Sequence, residues 1–435
     1  MPRPSLLHRA AGRTPMLRGL PREVGVLALM AFFVALGFGI VAPVIPVFAR
    51  SFDVSATEAS AVVSVFALVR LVSGPISGGL VDRLGERLVL AVGLLIVAAS
   101  SAAAGLSQDF AQLLVLRGAG GLGSSMFSVA AMALVIRVVD ASERGRAVGA
   151  YQSGFLFGGL AGPAIGGFVV AWSLRAPFFV YAGSLVLAFI VTVAMLSRTK
   201  LHERELDAAP QEVGKVEHLR QALRERAYIA ALTINLITGS LYYGMRSSTV
   251  PLFVTDGMGQ SATFISVGFL IAAVVQAVLM LPAGRLADTS GRRRAMLIGS
   301  VATTIGMVLL TLTDVAMVGW HAADTIAIGL LFASMAIQGI GAAFLGSAPA
   351  AVVGDVAGGR RGGIVVAAST GAADFGGVIG PIAAGLLVDA WDFDAAFGAS
   401  SALGLLAVMV VWFMPETLQR RHAARGSDRE EPEPR

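Results

Sequence analysis

Four charged side chains lie inside otherwise apolar stretches of the chain. Arg70 in FALVRLVSG, Arg117 in LLVLRGAGGLGSSMF and Arg246 in LYYGMRSSTVP are fixed cations, and Asp374 in GAADFGGVIGP is expected to be the one acidic residue well inside an apolar run. Burial favours the neutral form of such an acid and a nearby guanidinium favours the carboxylate, so a motion that separates the two releases or captures a proton. Arg70 lies 12 residues before Asp82, at the end of its run. Asp374 lies about 11 residues from the start of its own, so at about 1.5 Å per residue both sit roughly 17 Å deep, near the middle of a bilayer. Equal depth makes Arg70 a candidate partner of Asp374, with Arg117 and Arg246 in reserve, but depth alone supplies no lateral contact. The competing reading is a permanent salt bridge that only specifies geometry. Tyr242 and Arg246 are four apart and share a helix face, where they can form a cation–π pair in a cavity wall. Gln152, Gln276 and Gln338 are isolated polar residues in apolar runs, suited to substrate contact or to interhelical hydrogen bonds.

Other chemistries find little support. The chain has no Cys, which excludes disulfides, thiol catalysis and Cys-ligated metals. All five His (His8, His202, His218, His321 and His422) fall outside the apolar runs, and none pair at metal-ligand spacing. Neither a catalytic cluster nor a metal or cofactor is expected, and an enzyme is the weakest reading.

The elements that must position these groups are membrane spans. Hydrophobic residues make up 56% of the chain, charged residues 14%, and mean hydropathy is +0.77, too apolar for a soluble protein of 435 residues. Charged turns divide the sequence into twelve apolar runs of roughly 18 to 27 residues, each enough to cross about 30 Å of hydrocarbon as a helix. The expected fold is all-α: twelve transmembrane helices in two six-helix halves, 24–196 and 228–415. A linker at 197–227 and tails at 1–23 and 416–435 complete the chain. The ninth run is placed at Ala295 to Leu312. Of the 33 Lys and Arg, 28 fall in the termini and even-numbered loops and two, Arg50 and Arg175, in odd-numbered loops, which predicts cytoplasmic termini. The net charge of +5 therefore describes a membrane-facing surface and does not point to nucleic acid.

Two stretches repeat one pattern. GGLVDRLGERLVL carries Gly78, Asp82, Arg83, Gly85 and Arg87; GRLADTSGRRRAM carries Gly284, Asp288, Gly291 and Arg293. Each follows a span-length apolar run. The glycines let the turn fold close to the helix end, the Asp can accept hydrogen bonds from exposed backbone N–H groups, and the arginines suit anionic headgroups. Glu143 and Arg144 in the loop DASERGRA are candidate partners for the first turn. Both copies resemble the loop signature after helices 2 and 8 of the major facilitator superfamily, although Glu86 stands where that pattern usually has a basic residue.

The resemblance implies more. Arg117 with Gly121 and Gly123 is similar to a second family pattern whose arginine takes part in proton transfer, with Gly120 in place of the usual Gln. Helix 5 reads GGLAGPAIGG, with Gly158, Gly162, Pro163, Gly166 and Gly167; the string resembles the antiporter motif of drug:proton antiporters, and helix 11 repeats it imperfectly at Gly376, Gly380, Pro381 and Gly385. Glycines at this spacing also serve ordinary helix packing. The resemblance implies halves related by a pseudo-two-fold axis along the membrane normal, alternating access, and contact between helices 2 and 11. The expected function is proton-coupled export of amphipathic small molecules or drugs by a monomer in the plasma (bacterial inner) membrane. Its expected partners are a small-molecule substrate, protons and membrane lipids. The alternatives are a dedicated exporter of one endogenous metabolite, sugar or lipid, and a proton symporter that imports a metabolite.

Overall fold

In the computed structural model, the residues described are 20–140, 143–196, 212–318, 324–357 and 363–418, and among them every regular element is helical. Numbered by span, the helices are α1 (Arg22–Arg50), α2 (Ala56–Leu84), α3 (Glu86–Gly105), α4 (Phe110–Arg137), α5 (Arg144–Trp172) and α6 (Ala176–Leu196). A short helix at Glu212–Ala222 precedes α7, which comprises four successive segments: Arg226–Thr238, Gly239–Met245, Arg246–Leu252 and Phe253–Gly257. The rest are α8 (Ala262–Ser290), α9 (Arg292–Val318), α10 (Asp324–Ala357), α11 (Gly363–Trp391) and α12 (Phe393–Trp412).

Eleven of these helices are continuous, long and apolar enough to cross a membrane. The twelfth expected span, α7, is divided because Gly239–Met245 and Phe253–Gly257 are wound as π-helix. Each π segment shifts the hydrogen-bond register and turns later side chains onto a new face, a deviation that recurs at functional sites. In α1 the chain instead tightens to 3₁₀ at Ala42–Val44, where Pro43 removes a backbone donor. The ninth helix runs past Leu312 to Val318 and so takes in Asp314, which is buried near its C-terminal end.

The chain forms two compact units. The first holds α1, most of α2, α3 to α6 and the start of α8 (Gly259–Val267); the second holds Ser55–Ser60, α7, the rest of α8 and α9 to α12. Within the first, α1 packs on α5 and α6, and α3 on α4 and α6. Within the second, α7 packs on α11 and α12, and α9 on α10 and α12, so the same arrangement recurs.

Several helix pairs pack backbone against backbone. A Cβ at Gly121 of α4 would lie 2.5 Å from the Phe66 carbonyl oxygen of α2, and one at Gly339 of α10 would lie 2.5 Å from that of Ala272 on α8. Lipid tails give helices no hydrophobic reason to associate, so such close packing supplies the cohesion. The outward surface is hydrocarbon-compatible: Val72, Ile76, Val278 and Leu281 are among its exposed side chains. Phe168 and Trp172 at the end of α5, Trp391 at the end of α11, and Trp412 and Phe413 at the end of α12 are exposed too, as expected of aromatic rings at membrane–water boundaries.

Candidate functional site: arginines among aromatic rings

In the first unit Arg117 is 3% exposed, with its guanidinium 4.5 Å from the centroid of the Phe66 ring. The glycines Gly118 and Gly121 open the α4 surface toward Val65, Val69 and the backbone of Phe66, which brings α2 within reach. Tyr181 of α6 lies within electrostatic range of Arg117, and Arg70 within range of both Tyr151 and Tyr181. Two cations and two buried phenols thus occupy one interior, and Arg117 has no carboxylate partner among the described residues. Its Nε is buried without a hydrogen bond. Gln152 is exposed on α5, next to the buried Tyr151.

The second unit holds a related cluster. Arg246 directly follows the first π segment of α7, with its guanidinium 4.9 Å from the Phe269 ring centroid and 5.9 Å from that of Tyr242. The cation–π pair read from the sequence is present. The Tyr242 hydroxyl is 2.7 Å from Thr303 Oγ1 and donates to the Gln338 carbonyl oxygen at 3.2 Å, which fixes the ring against α9 and α10. Gln338 is fully buried, and its Nε2 donates to Ser334 Oγ at 2.9 Å. Ser334, on the same helix, in turn donates to the Gly306 carbonyl oxygen of α9, while Gln338 Oε1 is buried without a hydrogen-bond partner. Gln276 is partly exposed on α8 and Asp374 partly exposed on α11. A shallow groove lined by Leu297, Ile298, Val301, Ile305 and Ile337 offers only apolar surface.

The charged turns are built alike and wired differently. Gly85 and Gly291 both have positive φ, +83° and +114°. Gly78 and Gly284, by contrast, have open space around them. In the first turn Glu86 accepts from Arg137 Nη1 at 2.6 Å. The acid that departs from the usual pattern thus has a partner on α4. Asp82 and Arg83 are exposed, and Asp82 accepts no hydrogen bond among the described residues, contrary to expectation. Glu143 pairs with Arg146 at 3.2 Å, three residues along its own helix, and not with this turn. In the second turn Arg292 bonds Asp288 and lies 3.3 Å from Asp355 of α10. Glu416 accepts from the backbone N–H of Arg292 at 2.9 Å and of Arg293 at 3.1 Å, placing an anion at the N-terminus of α9. Arg293 donates to the Trp412 carbonyl oxygen.

The antiporter-like string on α5 faces α1. A Cβ on Gly158 would run into the Phe32 carbonyl oxygen, and one on Gly162 would lie 2.7 Å from Gly39 Cα. Gly166 is less constrained, at an ordinary 3.4 Å from Ile40, so the tight row is Gly154, Gly158 and Gly162. In the second unit Gly376 and Gly380 meet the Leu236 and Ser240 carbonyl oxygens of α7 in the same way.

Sequence reasoning missed Phe66, Tyr151, Tyr181, Phe269, Thr303, Arg137, Asp355 and Gly154. Spacing offers a signal for one of them: Gly154 is four residues before Gly158.

The family model described as Major Facilitator Superfamily matches residues 27–275 and 237–434. Among curated relatives, Multidrug resistance protein 2 of Bacillus subtilis (strain 168) is 26% identical over 63% of this chain and 69% of its own length. Multidrug resistance protein 1 of the same strain is 30% identical over 58% of this chain, and Quinolone resistance protein NorA of Staphylococcus aureus (strain MRSA252) is 31% identical over 41%. These last two matches span 65% and 46% of the relatives' own lengths. Among solved structures, an inward-facing, unoccupied bacterial homolog to the human lysosomal transporter Spinster aligns at a TM-score of 0.71 and 15% identity, over 90% of this chain and 95% of that one. A POT family transporter in complex with 5-aminolevulinic acid aligns at 0.72 and 13%, over 91% and 96%. With its span-length helices and two glycine-hinged charged turns, this integral membrane chain belongs to the Major Facilitator Superfamily, a family of transporters.

Proposed function

We propose that the chain is a proton-coupled exporter of amphipathic small molecules, working by alternating access between two six-helix halves, 24–196 and 228–415. The observation that carries this reading is the α5 row of Gly154, Gly158 and Gly162 pressed on the α1 backbone. It occurs in a chain whose relatives bear multidrug- and quinolone-resistance names. A helix pair sealed this closely leaves no room for water, which an antiporter needs if protons are not to leak around the substrate. The concentration of Lys and Arg in the termini and even-numbered loops supports cytoplasmic termini in the plasma (bacterial inner) membrane. The protein acts as a monomer. Asp374 carries the coupling proton, with Arg70 at the same sequence-derived depth and Arg117 as a further fixed cation.

Transport in proteoliposomes with an imposed pH gradient, assayed against a panel of dyes, antibiotics and sugars, tests this directly. Gradient-driven movement of amphipathic compounds is expected; movement of sugars alone, or indifference to the gradient, overturns it. Asp374→Asn should abolish concentrative export while leaving substrate binding intact and no longer dependent on pH. A variant that still concentrates substrate using the proton gradient removes Asp374 from the coupling role.

A further inference from the structure

The arginines of the two units both leave a buried Nε without an acceptor but differ in access. Arg117 is shut away at 3% exposure, whereas Arg246 is partly exposed. Arg246 has aromatic rings on two sides, Phe269 at 4.9 Å and Tyr242 at 5.9 Å, and no carboxylate pairs with it among the described residues. Its Nε is buried without a hydrogen-bond acceptor. Ring faces stabilise the cation but accept none of its in-plane N–H donors. A cation removed from water without an anion is costly, and the natural complement of its planar fork is a two-oxygen anion. Tyr242 cannot supply one: its hydroxyl is engaged by Thr303 and by the Gln338 carbonyl oxygen, which holds the ring as a wall.

We infer that Arg246, with Tyr242 and Phe269, is a subsite for the carboxylate or equivalent two-oxygen anion of an aromatic substrate, so that the exported class is amphipathic acids and zwitterions, not lipophilic cations. The anion docks edge-on to the guanidinium while the aromatic body lies against the Phe269 and Tyr242 rings. The π turn is what makes this geometry available, because the register shift at Gly239–Met245 sets the face from which Arg246 projects. This subsite rests on the export reading for its role in transport, but its ligand preference stands on the cluster alone.

The test uses two dyes with one xanthene core, rhodamine 110, a free acid, and rhodamine 123, its methyl ester. Binding to the purified full chain is read by fluorescence anisotropy and transport in proteoliposomes. The wild type should bind the acid about tenfold or more tightly than the ester, the ratio that one or two charge-assisted hydrogen bonds supply. Arg246→Gln should remove that preference while leaving ester binding within about twofold, a spread of roughly 0.4 kcal/mol. Arg246→Lys, which keeps the charge and loses the fork, should fall between and serves if the Gln variant fails to fold. Equal binding of the two dyes by the wild type, binding of neither, or a loss in both variants that is the same for acid and ester, overturns the inference. Arg246-dependent preference for the acid without gradient-driven movement upholds the subsite and rejects the export reading; gradient-driven transport of both dyes with no Arg246-dependent preference in binding does the reverse.

Discussion

The two charged turns reach the same contact with opposite signs. In the first, an acid directly after the positive-φ glycine (Glu86) pairs with a base on α4 (Arg137); in the second, a base in that position (Arg292) pairs with an acid on α10 (Asp355). What the architecture requires is a bond from the turn to the neighbouring long helix, and either polarity supplies it. The turns differ in depth. The Glu86–Arg137 side chains are 11% and 32% exposed, whereas Arg292 and Asp355 are 3% and 8% exposed. The second turn also gathers Asp288 on the guanidinium, Glu416 on the backbone N–H of Arg292, and Thr417, whose hydroxyl donates to Asp355.

Depth predicts unequal sensitivity, and the sharpest way to expose it is to remove the cation of the buried turn. Arg292→Ala takes the guanidinium from the buried Asp355 carboxylate and should cost about 3 to 5 kcal/mol, whereas Glu86→Gln, at the more exposed pair, should cost about 1 kcal/mol or less. Thermal unfolding of the two variants in the same detergent measures the difference, and equal shifts would refute the contrast. A smaller split is expected from one substitution made twice. Gly85→Ala meets open space, so only the positive φ of +83° with ψ of 152° opposes it, at about 1 to 3 kcal/mol. Gly291→Ala meets that penalty and also drives a methyl into the Glu416 carboxylate, so its melting temperature should fall further. The smallest effect is the most diagnostic. Glu86→Arg or Arg137→Asp alone should destabilise by about 1 kcal/mol, and the two together, which copy the polarity of the second turn, should recover most of the loss in a double-mutant cycle. Additive losses would mean that the sign matters after all.

The helices, the repeated turns and the in-span arginines were legible because each is a local pattern: an apolar run, a glycine at a fixed offset, a charge with no polar neighbours. What escaped depends on pairs distant in sequence. Glu86 and Arg137 are 51 residues apart, and nothing near either one announces the other. Phe66 beneath Arg117 looks like any lipid-facing ring until Gly121 brings α2 close. The π turns of α7 left no trace because LYYGMR sits in an unbroken apolar run, where apolar periodicity cannot report a shift of one residue. Asp314 was lost to a span ended too early, at the first acidic residue after TLT.

The exposed tryptophans carry a mechanical consequence. Trp391 ends α11 and Trp412 ends α12, the next helix in the chain, so the second unit has an aromatic anchor at each end of one helix pair. The 20 residues of α12 set those anchors about 30 Å apart at roughly 1.5 Å per residue, the hydrocarbon thickness of an ordinary bilayer. This unit thus carries its own ruler. A membrane thicker or thinner than that span must deform around it or tilt it, so lipid chain length becomes a force acting on the protein with no ligand involved.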